Sequence, residues 1–539
     1  MIALTLPILR QLASTLTLAF SILFLVKLYK ARSHARRLQK QGLPMPPHNW
    51  LLGHIPLAFS FTKNFPPNTH GIYTAEAIRK RYPHLKGAMY LDFWPMEELI
   101  LLIYDPDMMY QLNQAHQSEK HPSLRVFLRP LTGEEDLVTL EGAPWKRWRN
   151  IFNPGFSASH VSTLVPTIVE ETMIFRTKLM ENAKDGAVFR LDSLALNLTI
   201  DIIGRVVMDH RFESQLKNND LVAALRSQVN WATTGFNINP LEYFNLLRPL
   251  VHIYNTRIMN KYLTRELDNR YDTTQKVKSA QSKTIVDLAL KAFLEENPDS
   301  RGMTKAFKAF TISQIKLFIF AGHDTTSTAT VFVWHTLSQH PEILAKVRTE
   351  HDDILGTDPS AAASIISANP HVLNQLSYTA AVIKESMRQN PAVSALRAGK
   401  PDLYLTGEND QQFPTGYCMI WGDHYGVHHN PNFWVSADKF IPERWLVPTD
   451  DPLYPPSNGY RPFERGPRNC IGQNLAITEM KVILALVLRD FDLQEAYQRY
   501  NADHGIQQDW KINGSRVYLK NIGGSVVNYP CTVALATPP

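Results

Sequence analysis

Residues 462–472 have the sequence Pro-Phe-Glu-Arg-Gly-Pro-Arg-Asn-Cys-Ile-Gly and place a single thiol, Cys470, in a turn-rich loop. The mostly apolar run 475–488 follows, so we expect a helix to begin just after the cysteine. Such a helix aims its N–H groups and its positive dipole end at the sulfur, which predicts a lowered thiol pKa. A lone cysteine is more often a small buried hydrophobic residue, but a thiolate in this setting binds a soft or borderline metal well.

One cysteine alone suits a metal whose other ligands arrive with a cofactor. Haem b (heme b) is that cofactor, because its porphyrin supplies four nitrogens and an axial thiolate from the protein favours O–O cleavage. The order Phe463, Gly466, Arg468, Cys470, Gly472 resembles the cysteine-ligand loop of the cytochromes P450, with every defined position filled. The resemblance implies that Cys470 is the axial iron ligand. It also makes Phe463, Arg468 and Gly472 cofactor-binding residues.

Length and composition favour one large catalytic unit. The 539 residues exceed the usual length of a single domain, but no flexible linker, charge run or internal repeat divides them, and 44% hydrophobic residues are ample for one core around a buried cofactor. Three scattered cysteines are too few for a disulfide framework, which favours a reducing compartment. The net charge of +6 is modest and no basic stripe with interleaved aromatics is present, so we expect no nucleic-acid partner.

The N-terminus has the pattern of a membrane anchor. Residues 11–26 carry no charge, and with the apolar stretch 2–9 before Arg10 they make one long apolar segment that reaches the roughly 20 residues that a spanning helix needs. Basic residues crowd the C-terminal side of this run, which by the positive-inside rule keeps the rest of the chain in the cytosol. A cleaved signal peptide would carry its charge before the run and a small-residue cleavage site after it. We therefore expect an uncleaved single-pass anchor in the endoplasmic reticulum membrane.

These features divide the chain into three parts. Residues 1–41 form the anchor and its basic flank, and residues 49–539 form the catalytic domain. Between them, residues 42–48 contain Pro44, Pro46 and Pro47, which forbid helix and predict a stiff extended hinge. This segment is similar to the proline-rich hinge of membrane-bound P450s.

Two further segments carry basic residues that suit the carboxylates of a haem. Trp145 and Arg149 lie four residues apart and share one helical face, where both can donate hydrogen bonds. Alone this pair is ordinary packing, but it matches the P450 Trp-x-x-x-Arg motif, which implies binding to a haem propionate. Residues 390–397 lack strong helix signals and match the strand whose arginine reaches a propionate, which adds Arg397 to the cofactor-binding set. Residues 393–396 would then face the substrate.

Residues 312–337 form one long apolar helical pattern that is interrupted by Ala-Gly-His-Asp-Thr-Thr at 321–326. A glycine costs roughly 1 kcal/mol inside a helix, and a carboxylate among apolar residues adds a desolvation cost, so the turn suggests function. It resembles the P450 oxygen-activation groove, which makes Asp324 and Thr325 the catalytic pair that organises a water-borne proton relay. The alternative is a helix kink with threonines bonded to the preceding turn.

A third pattern is structural. Glu385 and Arg388 lie three apart on one helical face, and Arg444 follows in the segment Pro-Glu-Arg. Surface pairs at this spacing are common and contribute little. The order of both segments ahead of Cys470 resembles the Glu-x-x-Arg helix and Pro-Glu-Arg segment that stabilise the P450 core.

The resemblance covers the chain from anchor to tail and implies the P450 fold, which is mainly α with small β-sheets. It implies a haem-thiolate monooxygenase that inserts one oxygen atom from O2 into an apolar small-molecule substrate, with electrons from NADPH through NADPH-cytochrome P450 reductase. In general appearance the chain is similar to membrane-anchored fungal P450s of secondary metabolism. Lys146, Arg147 and Arg465 are expected to form a basic patch for the reductase.

Two alternatives from other classes remain open. A haem-thiolate isomerase or dehydratase would rearrange a peroxide without O2 or reductase, and the intact pair Asp324 and Thr325 argues against it. A non-catalytic haem-binding protein would leave the oxygen-activation groove unexplained.

Overall fold

The computed structural model describes residues 2–67, 69–133, 135–232, 245–276, 283–520, 526 and 528–536. They form a mainly helical body with small β-sheets, which confirms the predicted fold class. The helices are α1 (Ile2–Lys40), α2 (Ile55–Thr62), α3 (Gly71–Arg81), α4 (Pro106–Tyr110), α5 (Pro122–Thr132), α6 (Gly142–Phe152), α7 (Ala158–Asp185), α8 (Leu191–Met208), α9 (Asp220–Asn230), α10 (Leu247–Lys276), α11 (Ile285–Glu296), α12 (Lys305–Gln339), α13 (Pro341–Leu355), α14 (Ala362–Ala368), α15 (Ser377–Gln389), α16 (His424–His428), α17 (Gln473–Val487) and α18 (Tyr497–Asp503). The strands are β1 (Ala88–Asp92), β2 (Leu99–Ile103), β3 (Phe189–Arg190), β4 (Ala395–Ala398), β5 (Tyr404–Thr406), β6 (Gln412–Pro414), β7 (Cys418–Gly422), β8 (Phe491–Glu495) and β9 (Pro530–Leu535).

Helix α12 is the central element of the body. The side chain of Thr304 accepts a hydrogen bond from the Phe307 N–H and caps its start, and most of its residues from Thr311 to Leu337 are buried. A helix that is apolar on nearly all sides is expected in the core of a large domain. The predicted interruption at 321–326 does not end the helix, which runs unbroken from Lys305 to Gln339.

The largest sheet has the strand order β1-β2-β7-β4. Strands β2 and β7 are parallel, with Leu101 paired with Ile420, while β1 and β4 add antiparallel edges. Every residue of β2 is buried, as its unbroken Leu-Ile-Leu-Leu-Ile sequence requires of a strand covered on both faces. Because Arg397 pairs with Ile420, this sheet fixes the backbone position of a predicted site residue.

The N-terminal helix continues beyond the apolar run and joins the body. Within the described residues, Ile8–Lys40 is the helical segment long and apolar enough to cross a membrane, and its apolar 18-residue window has a mean hydropathy of 1.8. Its last turns pack on the body, where Leu28, Ala35 and Leu38 are buried. Residues 43–48 belong to no helix or strand, and Leu43 and Met45 are also buried. The division at 41, 42–48 and 49 stays a prediction.

Candidate active site

The Cys470 loop is held by its own backbone. The Cys470 N–H donates to the Phe463 carbonyl over 2.9 Å, and Gly472 is the N-cap of α17, which begins at Gln473. Gly466 has φ +88°, and a Cβ there would lie 2.7 Å from the Asn113 carbonyl oxygen, so only glycine fits. A helix does begin just after the cysteine, as the sequence predicts.

This loop forms one wall of a cavity of about 350 Å³. Distant parts of the chain meet there, since the cavity is lined by the predicted residues Trp145, Arg149, Thr325, Phe463, Arg468, Cys470 and Gly472. Two other predicted residues, Arg397 and Asp324, are buried and are not part of the lining. The thiol of Cys470 is surrounded by protein yet accessible from the cavity.

The environment of the thiol corrects one prediction. Burial raises the pKa of Cys470, whereas the Gly472 N–H and then the charges of Arg149 and Lys120 lower it. The prediction of a net lowered pKa is therefore wrong for the protein alone, because desolvation of the thiolate outweighs the helix end and the nearby cations. A bound cation at the sulfur would reverse this balance, since a metal deprotonates a coordinating thiol.

The basic residues brace this wall of the cavity. Arg149 donates to the Asn469 carbonyl and to Asn469 Oδ1, both over 2.9 Å, and so supports the residue before the cysteine. Arg468 donates to Glu141 over 2.6 Å and lies 4.4 Å from the centroid of the Trp145 ring. The basic residues that the sequence predicts to bind the cofactor thus form one cluster around the cavity.

Arg397 is the least satisfied member of this cluster. It is 1% exposed, and its Nε donates to Asn113 Oδ1 over 2.7 Å. Its Nη1 and Nη2 have no partner among the described residues. Burial lowers the pKa of Arg397 to about 10. Because leaving buried charged donors unpaired is costly, the arrangement fits an anionic ligand that reaches these two nitrogens.

Lys120 is a cavity-lining residue that the sequence analysis did not identify. Its backbone N–H donates to Glu141 over 2.8 Å, and its backbone pairs with Arg397 in an isolated β-bridge. Burial, followed by the charge of Arg397, lowers the pKa of Lys120 to about 7. No local motif marks this lysine, because only the long-range bridge to Arg397 brings it to the site.

A second set of residues that no sequence motif marked includes Glu464 and His424, which also line the cavity. Glu464 accepts hydrogen bonds from Arg461 over 2.6 Å and Asn113 over 2.9 Å, and lies 3.1 Å from His424 Nε2. These partners and the charge of Arg397 hold the pKa of Glu464 well below its usual range in spite of its burial. The charge of Glu464 favours the protonated form of Arg397, but among the described residues Glu464 accepts no hydrogen bond from the Nη1 or Nη2 of that arginine.

In contrast to these charged side chains, helix α12 contributes an uncharged hydroxyl group to the cavity. Thr325 lines the cavity, and its Oγ1 donates to the Ala321 carbonyl over 2.8 Å, which leaves the oxygen free to accept. Asp324 is 5% exposed. Burial lowers the pKa of Arg226, and the charges of Asp201 and then Asp324 raise it. The hydrogen bond from Thr325 to the preceding turn is the one that the alternative of a kinked helix predicts, so this bond alone does not separate the two interpretations.

Gly322 has a packing role that the sequence did not reveal. A Cβ at this position would lie 2.6 Å from Ile203 Cδ1 of α8, so the glycine permits the close approach of α8 and α12. Next to it, the Thr199 hydroxyl donates to the His323 carbonyl over 2.8 Å. The two helices are thereby fixed to each other at the turn that contains Thr325.

The predicted ion-pair cluster is fully buried. Glu385 accepts from Arg388 Nη2 over 2.9 Å and from Arg444 Nε over 3.0 Å, and the side chains of all three are 0% exposed. Trp445 Nε1 and the Ile441 N–H also donate to Glu385, over 3.1 Å each. The structure therefore brings Glu385, Arg388 and Arg444 together in the interior, so this is not a surface pair.

Comparisons with known proteins agree with this geometry. The cytochrome P450 family model matches residues 44–507. The chain is 43% identical over 518 residues to cytochrome P450 monooxygenase polC of Polytolypa hystricis, covering 95% of this chain and 93% of the relative. It is 36% identical over 434 residues to cytochrome P450 monooxygenase acrF of Aspergillus aculeatus, covering 77% and 86%. The fold resembles the crystal structure of the cytochrome P450DA heme domain, with a TM-score of 0.69, 20% identity and coverage of 92% of this chain and 98% of that one. The chain belongs to the cytochrome P450 family and is a cytochrome P450 monooxygenase.

Proposed function

We propose that this protein binds haem b in the Cys470 cavity and inserts one oxygen atom from O2 into an apolar small molecule. The second oxygen atom leaves as water, and NADPH supplies the electron pair through NADPH-cytochrome P450 reductase. The observation that carries the proposal is the cavity with the accessible thiol of Cys470, whose lining includes Leu396, next in the chain to Arg397 with its two unpaired donor nitrogens.

The residues around the cavity fit a haem. Cys470 would provide the thiolate ligand of the haem iron, and Phe463 and Gly472 lie on the same wall of the cavity. The propionates would be held by donors from four segments, namely Lys120, Trp145, Arg149, Arg397 and Arg468. A dianionic ligand explains why this cluster has more cationic than anionic side chains, since Glu464 is already engaged by Arg461 and His424. Bound haem supplies the iron that activates dioxygen, and the thiolate favours O–O cleavage.

Thr325 and Asp324 would deliver protons to the reacting oxygen. The formation of water from one oxygen atom requires two protons, and Thr325 Oγ1 lines the cavity with its own hydrogen directed to Ala321. This oxygen can therefore accept a hydrogen bond from a water and hold it within the cavity. Asp324, one residue earlier and buried near Arg226, would exchange protons with that water from the interior side.

The remaining cavity wall favours an apolar substrate. It includes Leu124, Leu317, Phe318, Val393 and Leu396, so residues 393–396 line it as the sequence analysis expects. Apolar lining with few polar groups is typical of sites for small organic ligands. Because the similar proteins are monooxygenases of fungal secondary metabolism, we propose an intermediate of that kind as the substrate class.

The deciding experiment uses the full-length protein with reductase and NADPH under isotopically labelled dioxygen. We expect one labelled oxygen atom in the product and consumption of NADPH in proportion to it. Product formed from a peroxide substrate without NADPH would instead support an isomerase or dehydratase. Haem binding without either reaction would support the non-catalytic alternative.

We also propose that α1 anchors the protein in the endoplasmic reticulum membrane as a single span, with the catalytic body in the cytosol. The segment Ile8–Lys40 has the required length and hydropathy, and the basic residues on its C-terminal side give the orientation. Protease treatment of intact microsomes tests this, because a cytosolic body is degraded and a lumenal one is protected.

A further inference from the structure

The apolar wall of the cavity at Val393 is held in place by the side chain of His424. Residues 391–394 come directly before strand β4 and belong to no helix or strand, and Val393 lines the cavity and is 50% exposed. His424 Nδ1 lies 2.9 Å from the Val393 carbonyl oxygen. Among the described residues, this is the one hydrogen bond that the Val393 carbonyl accepts. The position of this part of the wall therefore depends on His424.

The two partners of the His424 ring determine its protonation state. Its Nε2 lies 3.1 Å from Glu464 Oε2, and its side chain is 3% exposed. In spite of burial, the contacts with His424 and Arg461 hold the pKa of Glu464 well below its usual range, so this carboxylate is ionised. A carbonyl oxygen and an ionised carboxylate can only accept hydrogen bonds. Both ring nitrogens of His424 therefore carry a hydrogen and donate, and the ring is an imidazolium ion.

Glu464 is itself fixed in an unusual backbone conformation. Its φ is +59°, in the left-handed region that residues with a side chain rarely adopt. Arg461 Nε and Nη2 donate to Glu464 Oε1 over 2.9 and 2.6 Å, and Asn113 Nδ2 donates to Oε2 over 2.9 Å. A strained residue of this kind persists only where its surroundings hold it. The carboxylate is thus a fixed acceptor for Nε2 of His424, and it keeps Nδ1 directed at the Val393 carbonyl.

We propose that His424 is a positioning residue for the substrate, which fixes the cavity wall at Val393 through the hydrogen bond from Nδ1. Glu464, which follows Phe463 in the Cys470 loop, orients the imidazolium ring from its other side. The inference rests on the proposed binding of haem and an apolar substrate in this cavity. It adds that a residue of the cysteine loop, acting through His424, sets the shape of the wall that the substrate contacts.

Two substitutions separate the two hydrogen bonds of the ring. In His424→Asn the amide nitrogen takes the place of Nδ1, so it can still donate to the Val393 carbonyl but does not reach Glu464. In His424→Gln the amide nitrogen takes the place of Nε2, so it can donate to Glu464 but not to Val393. Both variants put an uncharged amide at the same buried position, and each is therefore the matched control for the other.

The measurement compares two ligands that bind haem iron through an imidazole nitrogen. The dissociation constants of 1-phenylimidazole and of imidazole are determined from the shift of the Soret band of the full-length holoenzyme. The phenyl ring of the first ligand occupies the apolar part of the cavity, which the second ligand leaves empty. The ratio of the two dissociation constants therefore reports on the apolar wall, because a change at the iron alters both constants alike.

We expect His424→Gln to reduce the preference for 1-phenylimidazole over imidazole by about tenfold, because it removes a hydrogen bond from a charged donor. His424→Asn should keep the preference of the parent protein. An unchanged preference in His424→Gln, or an equal loss in both variants, would overturn the proposal. If His424→Gln holds no haem, His424→Asn decides alone, since a lost preference in that variant also overturns the proposal and a kept one supports it. A parent protein without a Soret band would instead reject the haem binding on which the inference rests.

Discussion

At the scale of single residues, the thiol of Cys470 and the cations near it depend on one another. Burial favours the protonated thiol, and a buried guanidinium such as Arg397 is costly without an acceptor. A ligand that brings both a metal ion and carboxylates removes both costs at once. Without haem the protein therefore has two unfavourable electrostatic contributions, and haem binding would remove both.

The first prediction concerns the axial ligand. We expect Cys470→Ala to lose the Soret band characteristic of a thiolate-ligated, reduced carbon monoxide complex, because no other described cysteine lines the cavity. The measurement is the carbon monoxide difference spectrum of the purified protein. Cys418→Ala is the control and should keep the band, since Cys418 is buried in strand β7. An unchanged band in Cys470→Ala would reject this ligand.

The second prediction concerns Lys120 and pH. Charged hydrogen bonds contribute about 1.5–3 kcal/mol, so Lys120→Met should speed haem transfer to an acceptor apoprotein by about tenfold or more. The pKa of Lys120 is about 7 before an anion binds, and a bound propionate raises it. The contribution of the Lys120 contact to haem affinity is fully present below about pH 7. It is lost as the pH rises through the raised pKa that Lys120 has when haem is bound.

The measurement is the haem transfer rate as a function of pH. The parent protein should release haem faster as the pH rises above about 7, a trend that Lys120→Met lacks. Lys146→Met is the control, because Lys146 is exposed and is not part of the cavity lining. Identical pH profiles in the parent and Lys120→Met would show that Lys120 does not contact the bound group.

At the scale of secondary-structure elements, the threonines of α12 differ in whether they line the cavity. Thr325 lines the cavity, whereas Thr330 is 3% exposed and is not part of the lining. Both donate to the carbonyl four residues earlier over 2.8 Å. The local bond is therefore common to the helix, and only the position of Thr325 brings its oxygen to the cavity, where we propose a catalytic role for it.

The third prediction uses this matched pair. Thr325→Ala should keep haem and substrate binding but divert reducing equivalents to hydrogen peroxide, because the water that donates protons is no longer held. The measurement is the ratio of product to NADPH consumed, which should fall in Thr325→Ala and stay at the parent value in Thr330→Ala. An unchanged ratio in Thr325→Ala would place the proton relay elsewhere.

The fourth prediction concerns the contact between α15 and the segment that contains Arg444. Removing one partner of a buried ion pair costs about 3–5 kcal/mol, so Arg388→Ala should give unstable protein that lacks haem. The control is Lys178→Ala, whose partner Glu181 has the same spacing of three residues but is 56% exposed. We expect that change to alter the free energy of unfolding by less than about 1 kcal/mol. Stable, haem-replete Arg388→Ala would contradict a structural role.

The sequence predicted a feature correctly where the residues that produce it lie close together along the chain. Trp145 and Arg149 were found because one helical turn relates them, and strand β2 because its residues are continuously apolar. Lys120 was missed because only the bridge to Arg397, far along the chain, brings it to the cavity. The pKa of Cys470 was predicted in the wrong direction because a sequence shows the nearby helix but not the burial. The docking of Arg32 on Asp92 was invisible for the same reason, since the two meet only in the fold.

At the scale of the whole molecule, we propose that the protein receives electrons on the face that supports the Cys470 loop. Helix α6 contributes Arg149 to that loop, and the neighbouring side chains Lys146 and Arg147 are exposed. Arg147 is already paired with Glu296 and stacked on Trp148, so part of the predicted basic patch is neutralised within the protein. Lys146 and Arg465 remain the exposed cations of that patch without an ion pair among the described residues.

The fifth prediction is that these two cations speed the encounter with the reductase. Charge complementarity affects association rates more than affinity, so Lys146→Glu combined with Arg465→Glu should slow transfer of the first electron while leaving the substrate-induced spectral shift intact. The rate for the parent protein should fall above about 0.1 M ionic strength, where the Debye length is about 10 Å. Lys511→Glu is the control, because that side chain is 47% exposed and belongs to the C-terminal region. Equal stopped-flow reduction rates for the parent and the double variant at low salt would contradict this prediction. Lys146 and Arg465 would then be ordinary surface charges, and the reductase would dock on another face.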